Sequence, residues 1–327
     1  MRTVTMSRRY SIVCTLIALA SVAASSGCSS VSNPLVASQR APVETQKLAQ
    51  VGGTWTTKAS MPTARDGLAV GVIHGIVYAV GGFGSSGPLT TVEAYDPASD
   101  SWTTKAPMPT ARNGLAVGVV NGILYAIGGY NAITPYNIVE AFDPATNTWT
   151  TKSPMPAARA SLAAGVVSGK LYAIGGSDFT GCWPTVYAYD PTSDTWTTKA
   201  PMSVGRCFLS AGVVNGILYA VGGDSTAHLV EAYDPASNSW TTKSSMPTGR
   251  ESLAVGVVRG RLYAIDGYNT GATKRNEAYN PATGTWTDKR TDPTRRFGLA
   301  AGVVNGVIYV IGGDNHGPLN SVEAYAP

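Results

Sequence analysis

The stretch "TVEAYDPASDSWTTK", residues 91–105, runs from an apolar segment through Asp96-Pro97 to Trp102 and a threonine pair. The last seven residues, "SVEAYAP" at 321–327, begin in the same way but stop before any tryptophan. If these are two copies of one unit, the number of copies decides the fold, and something else must supply the missing end.

Six tryptophans, Trp55, Trp102, Trp149, Trp196, Trp240 and Trp286, are each followed by threonine at spacings of 47, 47, 47, 44 and 46 residues. A glycine doublet closes an apolar run in every interval: Gly81-Gly82, Gly128-Gly129, Gly175-Gly176, Gly222-Gly223, Gly312-Gly313, and Asp266-Gly267 as the one variant. An aromatic two residues before proline recurs at Tyr95, Phe142, Tyr189, Tyr233, Tyr279 and Tyr325. Three markers in register six times define a tandem repeat, and a period in this range belongs to arrays, solenoids and propellers.

Within one copy, "GLAVGVV" at 114–120 is small and apolar throughout, as in a strand buried on both faces. Asn121-Gly122 is a hairpin signal leading to "ILYAIGG" at 123–129. A third strand, "IVEAFDP" at 138–144, ends at proline, and "TWTTK" at 148–152 has β composition. No helical period extends beyond a turn or two. Four strands in about 46 residues, repeated six times, meet the requirement of a β-propeller.

The order of loop arginine, apolar strand, Tyr before Gly-Gly, Tyr-Asp-Pro and Trp resembles the kelch repeat over residues 52–327. Asp266, Phe142 and the absence of a tryptophan in the last copy are the departures. The resemblance implies an all-β, six-bladed kelch-type β-propeller. Its final blade is expected to be closed by the N-terminal strand around Trp55, which pairs the edge that an open array would expose. Residues 52–327 number 276, which suits six blades and is too short for seven.

Charged residues are only 13% of the chain, and the net charge of +4 includes Arg2, Arg8 and Arg9 near the N-terminus. From residue 28 onward 21 basic residues face 20 acidic ones, so no basic stripe for nucleic acid is present. The three arginines precede "SIVCTLIALASVAA", an apolar run too short for a stable membrane span and suited to a signal peptide over residues 1–27. "SSGCSS" resembles a bacterial lipoprotein box with Cys28 as the acceptor, while cleavage near Ala24 with release is the alternative. Residues 28–51 read as a flexible linker. The expected location is therefore outside the cytoplasm, as a cell-envelope lipoprotein or a secreted or periplasmic monomer, with membrane contact only through an N-terminal lipid.

Cys182 and Cys207 fall in loop types that share one face of neighbouring blades, so a disulfide is expected in an oxidising compartment, with two buried thiols as the alternative. Six internal copies also act as a control, since whatever every copy carries is architecture first. Arg65, Arg112, Arg159, Arg206, Arg250 and Arg296 are read as structural, and the alternative is a positive ring that binds an anion. The residues that differ follow the arginines (Asp66, Asn113, Glu251 and Phe297) or the glycine doublets (Tyr130, Asp178, Trp183, Asp224, Tyr268 and Asp314). Aromatic faces beside fixed polar groups suit a carbohydrate or peptide ligand.

"GFGSSG" at 82–87 matches a dinucleotide fingerprint, but Pro88 and a strand follow it instead of a helix. His74 stands at a turn position, and His228 and His316 lie in loops of non-adjacent copies. No catalytic residue, metal or cofactor is assigned. Two functions remain open: a non-catalytic scaffold for a glycan, peptide or envelope protein, and a sugar mutarotase or epimerase. The kelch resemblance implies the second, because exported six-bladed members include a sialic-acid mutarotase.

Overall fold

The computed structural model describes residues 52–224 and 227–327. The expected leader, Cys28 and linker at 28–51 lie outside the described residues. Among the described residues there are no helices; the chain forms six four-stranded antiparallel sheets and a two-residue pairing of Phe83–Gly84 with Gly87–Pro88. That pairing occupies the fingerprint-like stretch, which is a small hairpin and no phosphate loop.

Blade one contains Ala69–Ile73, Ile76–Val80, Val92–Asp96 and Ser101–Thr104, ordered from the inside outward. The next four blades repeat this plan, with inner strands Asn113–Val120, Ala163–Val167, Ser210–Val214 and Ala254–Val258. The first hairpin of each blade turns through two residues of positive φ, as at Asn121 (51°) and Gly122 (77°). That twist matches the strands it joins, and it explains the Asn-Gly signal. His74 takes the same place with φ of 50° and serves the turn.

Blade six contains Ala300–Val304, Val307–Ile311 and Val322–Ala326. Its outer strand is Thr54–Thr57, antiparallel to Val322–Ala326 with Trp55 opposite Tyr325. The Trp55 indole N–H donates to the Arg290 carbonyl at 2.8 Å, on the segment that enters blade six. Every other blade does the same: Trp102 donates to Ala59, Trp149 to Ala106, Trp196 to Ser153, Trp240 to Ala200 and Trp286 to Ser244. Each repeated tryptophan therefore ties its outer strand to the incoming connection while its ring packs on the aromatic of the third strand.

The core consists of six apolar layers, each between two adjacent blades. The glycine in the middle of an inner strand is a packing requirement. A Cβ on Gly118 would lie 2.2 Å from the Leu171 side chain of the next blade, so only a bare backbone admits that leucine.

Candidate functional site

The six inner strands surround a central channel of about 180 Å³. Its wall is built from Leu-Ala-Val-type triplets such as Leu68-Ala69-Val70 and Leu115-Ala116-Val117, and no ionisable side chain lines it. Ionisable groups therefore stand outside this wall.

One end of the channel is bounded by a closed ring of backbone hydrogen bonds. The N–H of Gly67 donates to Gly298 O at 2.8 Å, Gly298 to Ser252, Ser252 to Phe208, Phe208 to Ser161, Ser161 to Gly114, and Gly114 back to Gly67. All six residues have positive φ, between 50° and 62°. Three are not glycine, and neither serine nor phenylalanine announces this backbone in a sequence.

The variable residues stand immediately before this ring and so surround the mouth. Asp66 pairs across its blade with Phe83, Asn113 with Tyr130, Glu251 with Tyr268 and Phe297 with Asp314. The Asp224 N–H donates to Cys207 O at 2.9 Å in the corresponding place. A Cβ on Gly298 would meet Asp66 Oδ2 at 3.6 Å, and one on Gly114 would meet the Tyr130 ring at 3.1 Å, so both side chains lie over the ring. Tyr130 meets Phe179 edge-on with centroids 5.3 Å apart, and Tyr268 meets Phe297 similarly at 5.4 Å. Burial, and then the neighbouring Asp314, raise the Asp66 carboxyl to about 6.

The arginines do not form the alternative anion-binding ring. Arg65, Arg112, Arg206, Arg250 and Arg296 have no exposed surface, and each pairs with a glutamate of the third strand in its own blade. Arg112 shows the pattern: Nη2 donates to Glu140 Oε2 at 2.7 Å, Nη1 to the Gly128 and Ile138 carbonyls at 3.1 Å, and Nε faces Met108 Sδ. Guanidiniums buried and paired in this way present no surface to a ligand. The sequence reading missed the partners Glu93, Glu140, Glu231, Glu277 and Glu323. Their recurrence one residue after the start of the third strand, in five of six copies, was the available signal.

Blade three breaks the pattern. Tyr187 replaces the glutamate, and Arg159 instead stands over the Trp183 ring at 5.1 Å while donating to Ala158 O. Trp183 remains 38% exposed. Burial opposes ionisation of Asp178, but hydrogen bonds from Thr180, the Trp183 indole and the Thr180 and Gly181 amides outweigh it and hold this carboxyl at about 2. Trp183 is thus an aromatic surface fixed by an anion at its N–H and a cation at its ring. Next to it, Cys182 and Cys207 are joined in a disulfide with Cα atoms 5.2 Å apart.

The structure therefore brings Asp66, Asn113, Tyr130, Glu251, Tyr268, Phe297 and Asp314 to the mouth. Asp178 and Trp183 lie in a blade-three loop, joined to the mouth through Cys182–Cys207 and Asp224. His228 Nδ1 contacts Met246 O at 2.7 Å, and neither His228 nor His316 joins a cluster of three metal-ligating side chains among the described residues.

Comparison with known proteins agrees with this architecture. The KLHDC2/KLHL20/DRC7 Kelch-repeats domain model matches residues 43–176, and the Kelch motif model matches 158–203, 205–247 and 295–327. No curated protein matches the chain. Among solved structures, that of YjhT is similar with a TM-score of 0.72 over 82% of this chain and 95% of its own, at 18% identity. With its tandem motifs, its six blades and its repeated Tyr–Trp pairs, the chain belongs to the kelch-repeat family of β-propellers.

Proposed function

We propose that the protein is a recognition scaffold outside the cytoplasm that binds a glycan at the channel mouth and the adjoining blade-three loop. Trp183 carries this reading. A tryptophan 38% exposed, held by Asp178 and Arg159, offers a rigid flat face for stacking on a sugar ring at little entropic cost. The mouth itself carries carboxylates and an amide, Asp66, Asn113, Asp224, Glu251 and Asp314, suited to orient hydroxyls. The lack of ionisable side chains on the channel wall favours recognition over chemistry inside the ring. The leader expected at residues 1–27 and the Cys182–Cys207 disulfide support the location, since such bonds persist in oxidising compartments.

A specific observation favours a second reading, a sugar mutarotase or epimerase. Asp66, raised to about 6 beside Asp314, is placed to exchange protons near neutral pH. A glycan array followed by NMR anomeric-exchange measurements on each hit separates the two. Binding without faster exchange supports the scaffold, whereas exchange that Asp66→Asn abolishes supports the enzyme. The absence of any glycan hit contradicts both.

A further inference from the structure

We propose that the Cys182–Cys207 disulfide masks a metal site: when it is reduced, the two sulfurs and the Asp224 carboxylate bind a thiophilic divalent cation, zinc above all. The two Sγ atoms and a carboxylate oxygen of Asp224 lie within 4.8 Å of one another. They come from three pieces of chain, the loop after the second strand of blade three, the entrance to blade four, and the residue after the Gly222-Gly223 doublet.

Backbone hydrogen bonds fix these pieces independently of the sulfur–sulfur bond. Cys182 is bridged to Ser177, Trp183 N–H donates to Gly176 O at 2.9 Å, Arg206 N–H to Trp183 O at 3.3 Å, and Asp224 N–H to Cys207 O at 2.9 Å. Cleaving the disulfide therefore leaves the donors facing one another. Rotation about the cysteine Cα–Cβ bonds then separates the sulfurs enough for two zinc–sulfur bonds of about 2.3 Å.

Two thiolates and one carboxylate form a zinc donor set with three protein ligands and a fourth position for water. Cys207 is buried while Cys182 and Asp224 are half-buried, so the cluster can be reached from solvent. The chemistry balances with a dithiol as reductant. It supplies two electrons and two protons, the protein S–S bond becomes two thiols, and the reductant becomes a disulfide. Metal binding then releases both thiol protons to solvent. The inference is independent of the glycan reading, because its probe is the metal alone.

The test is Co²⁺ titration of the full chain, oxidised and dithiol-reduced, with circular dichroism confirming the fold of each sample. Reduced protein is expected to bind one Co²⁺ with a thiolate-to-cobalt charge-transfer band, which Zn²⁺ abolishes. Oxidised protein should show no such band. Cys182→Ser should lose it although Cys207 remains, and Asp224→Asn should weaken binding by at least about tenfold, as loss of even an indirect partner does. The proposal is overturned by a reduced wild type that shows no band or loses its fold, by an equal band in oxidised protein or Cys182→Ser, or by unchanged affinity in Asp224→Asn.

Discussion

Trp55 and Tyr325 stand opposite each other in antiparallel register, with ring centroids 4.8 Å apart although they are 270 positions apart in the chain. The Tyr325 hydroxyl also donates to Gly52 O at 2.8 Å. This reproduces the aromatic–Trp pair that lies within a single repeat in the other blades, such as Tyr95–Trp102 at 5.1 Å. The seam of the ring is thus made from the same parts as its interior.

Trp55→Ala should cost about 3 kcal/mol, as large aromatic truncations do, and should match Trp102→Ala. Deleting residues 52–58 should cost more, because blade six then exposes the edge of Val322–Ala326. Urea denaturation measures both, and an unchanged midpoint in the deletion would mean that the seam contributes nothing.

Breaking a buried arginine–glutamate pair leaves an uncompensated charge. Glu140→Ala is expected to destabilise by about 3–5 kcal/mol. Arg159→Met should cost distinctly less, since blade three has no such pair and Arg159 faces Trp183 and donates to the neighbouring Ala158 carbonyl. Equal losses in the two variants would contradict the division between structural arginines and the blade-three exception.

The junction of blades five and six contains a proton-linked cluster. Asp266 replaces a glycine of the doublet, and Asp292 takes the place next to arginine that methionine holds elsewhere. Arg296 faces Asp266 at 3.4 Å, Asp292 at 3.1 Å and Glu323 as well. Burial first, and Asp292 second, raise the Asp266 carboxyl well above its ordinary value. A folded value above the unfolded one, about 4, makes this contribution to stability complete below about pH 4 and progressively lost as pH rises through the folded value. Asp266→Asn, which mimics the protonated acid, should gain on the wild type with rising pH by up to about 1.4 kcal/mol per unit. A difference independent of pH would show that Asp266 does not hold its proton.

The architecture was legible because each structural role recurs: tryptophan for the tether, Gly-Gly for the close approach, Asn-Gly for the hairpin. What escaped depends on exceptions and on space. The glutamate partners look like ordinary polar positions of an alternating strand until Arg112 is seen against Glu140. Tyr187 in their place gives no hint that Arg159 will turn to Trp183. The positive φ of Ser161, Phe208 and Ser252 is imposed by the closing ring of backbone hydrogen bonds, which overrides residue preference. Asp266 stood out alone, but its partner Asp292 is 26 positions away and belongs to the next copy.

The central claim is that architecture is common to all copies and recognition belongs to the mouth and the blade-three loop, with Trp183 as the platform. Titration of the best array glycan into wild type and Trp183→Ala tests it most directly, with circular dichroism of both. The account predicts an unchanged fold and a loss of affinity of at least about fivefold, since an exposed stacking aromatic contributes on the order of 1–2 kcal/mol. Equal affinity in a folded Trp183→Ala would contradict it.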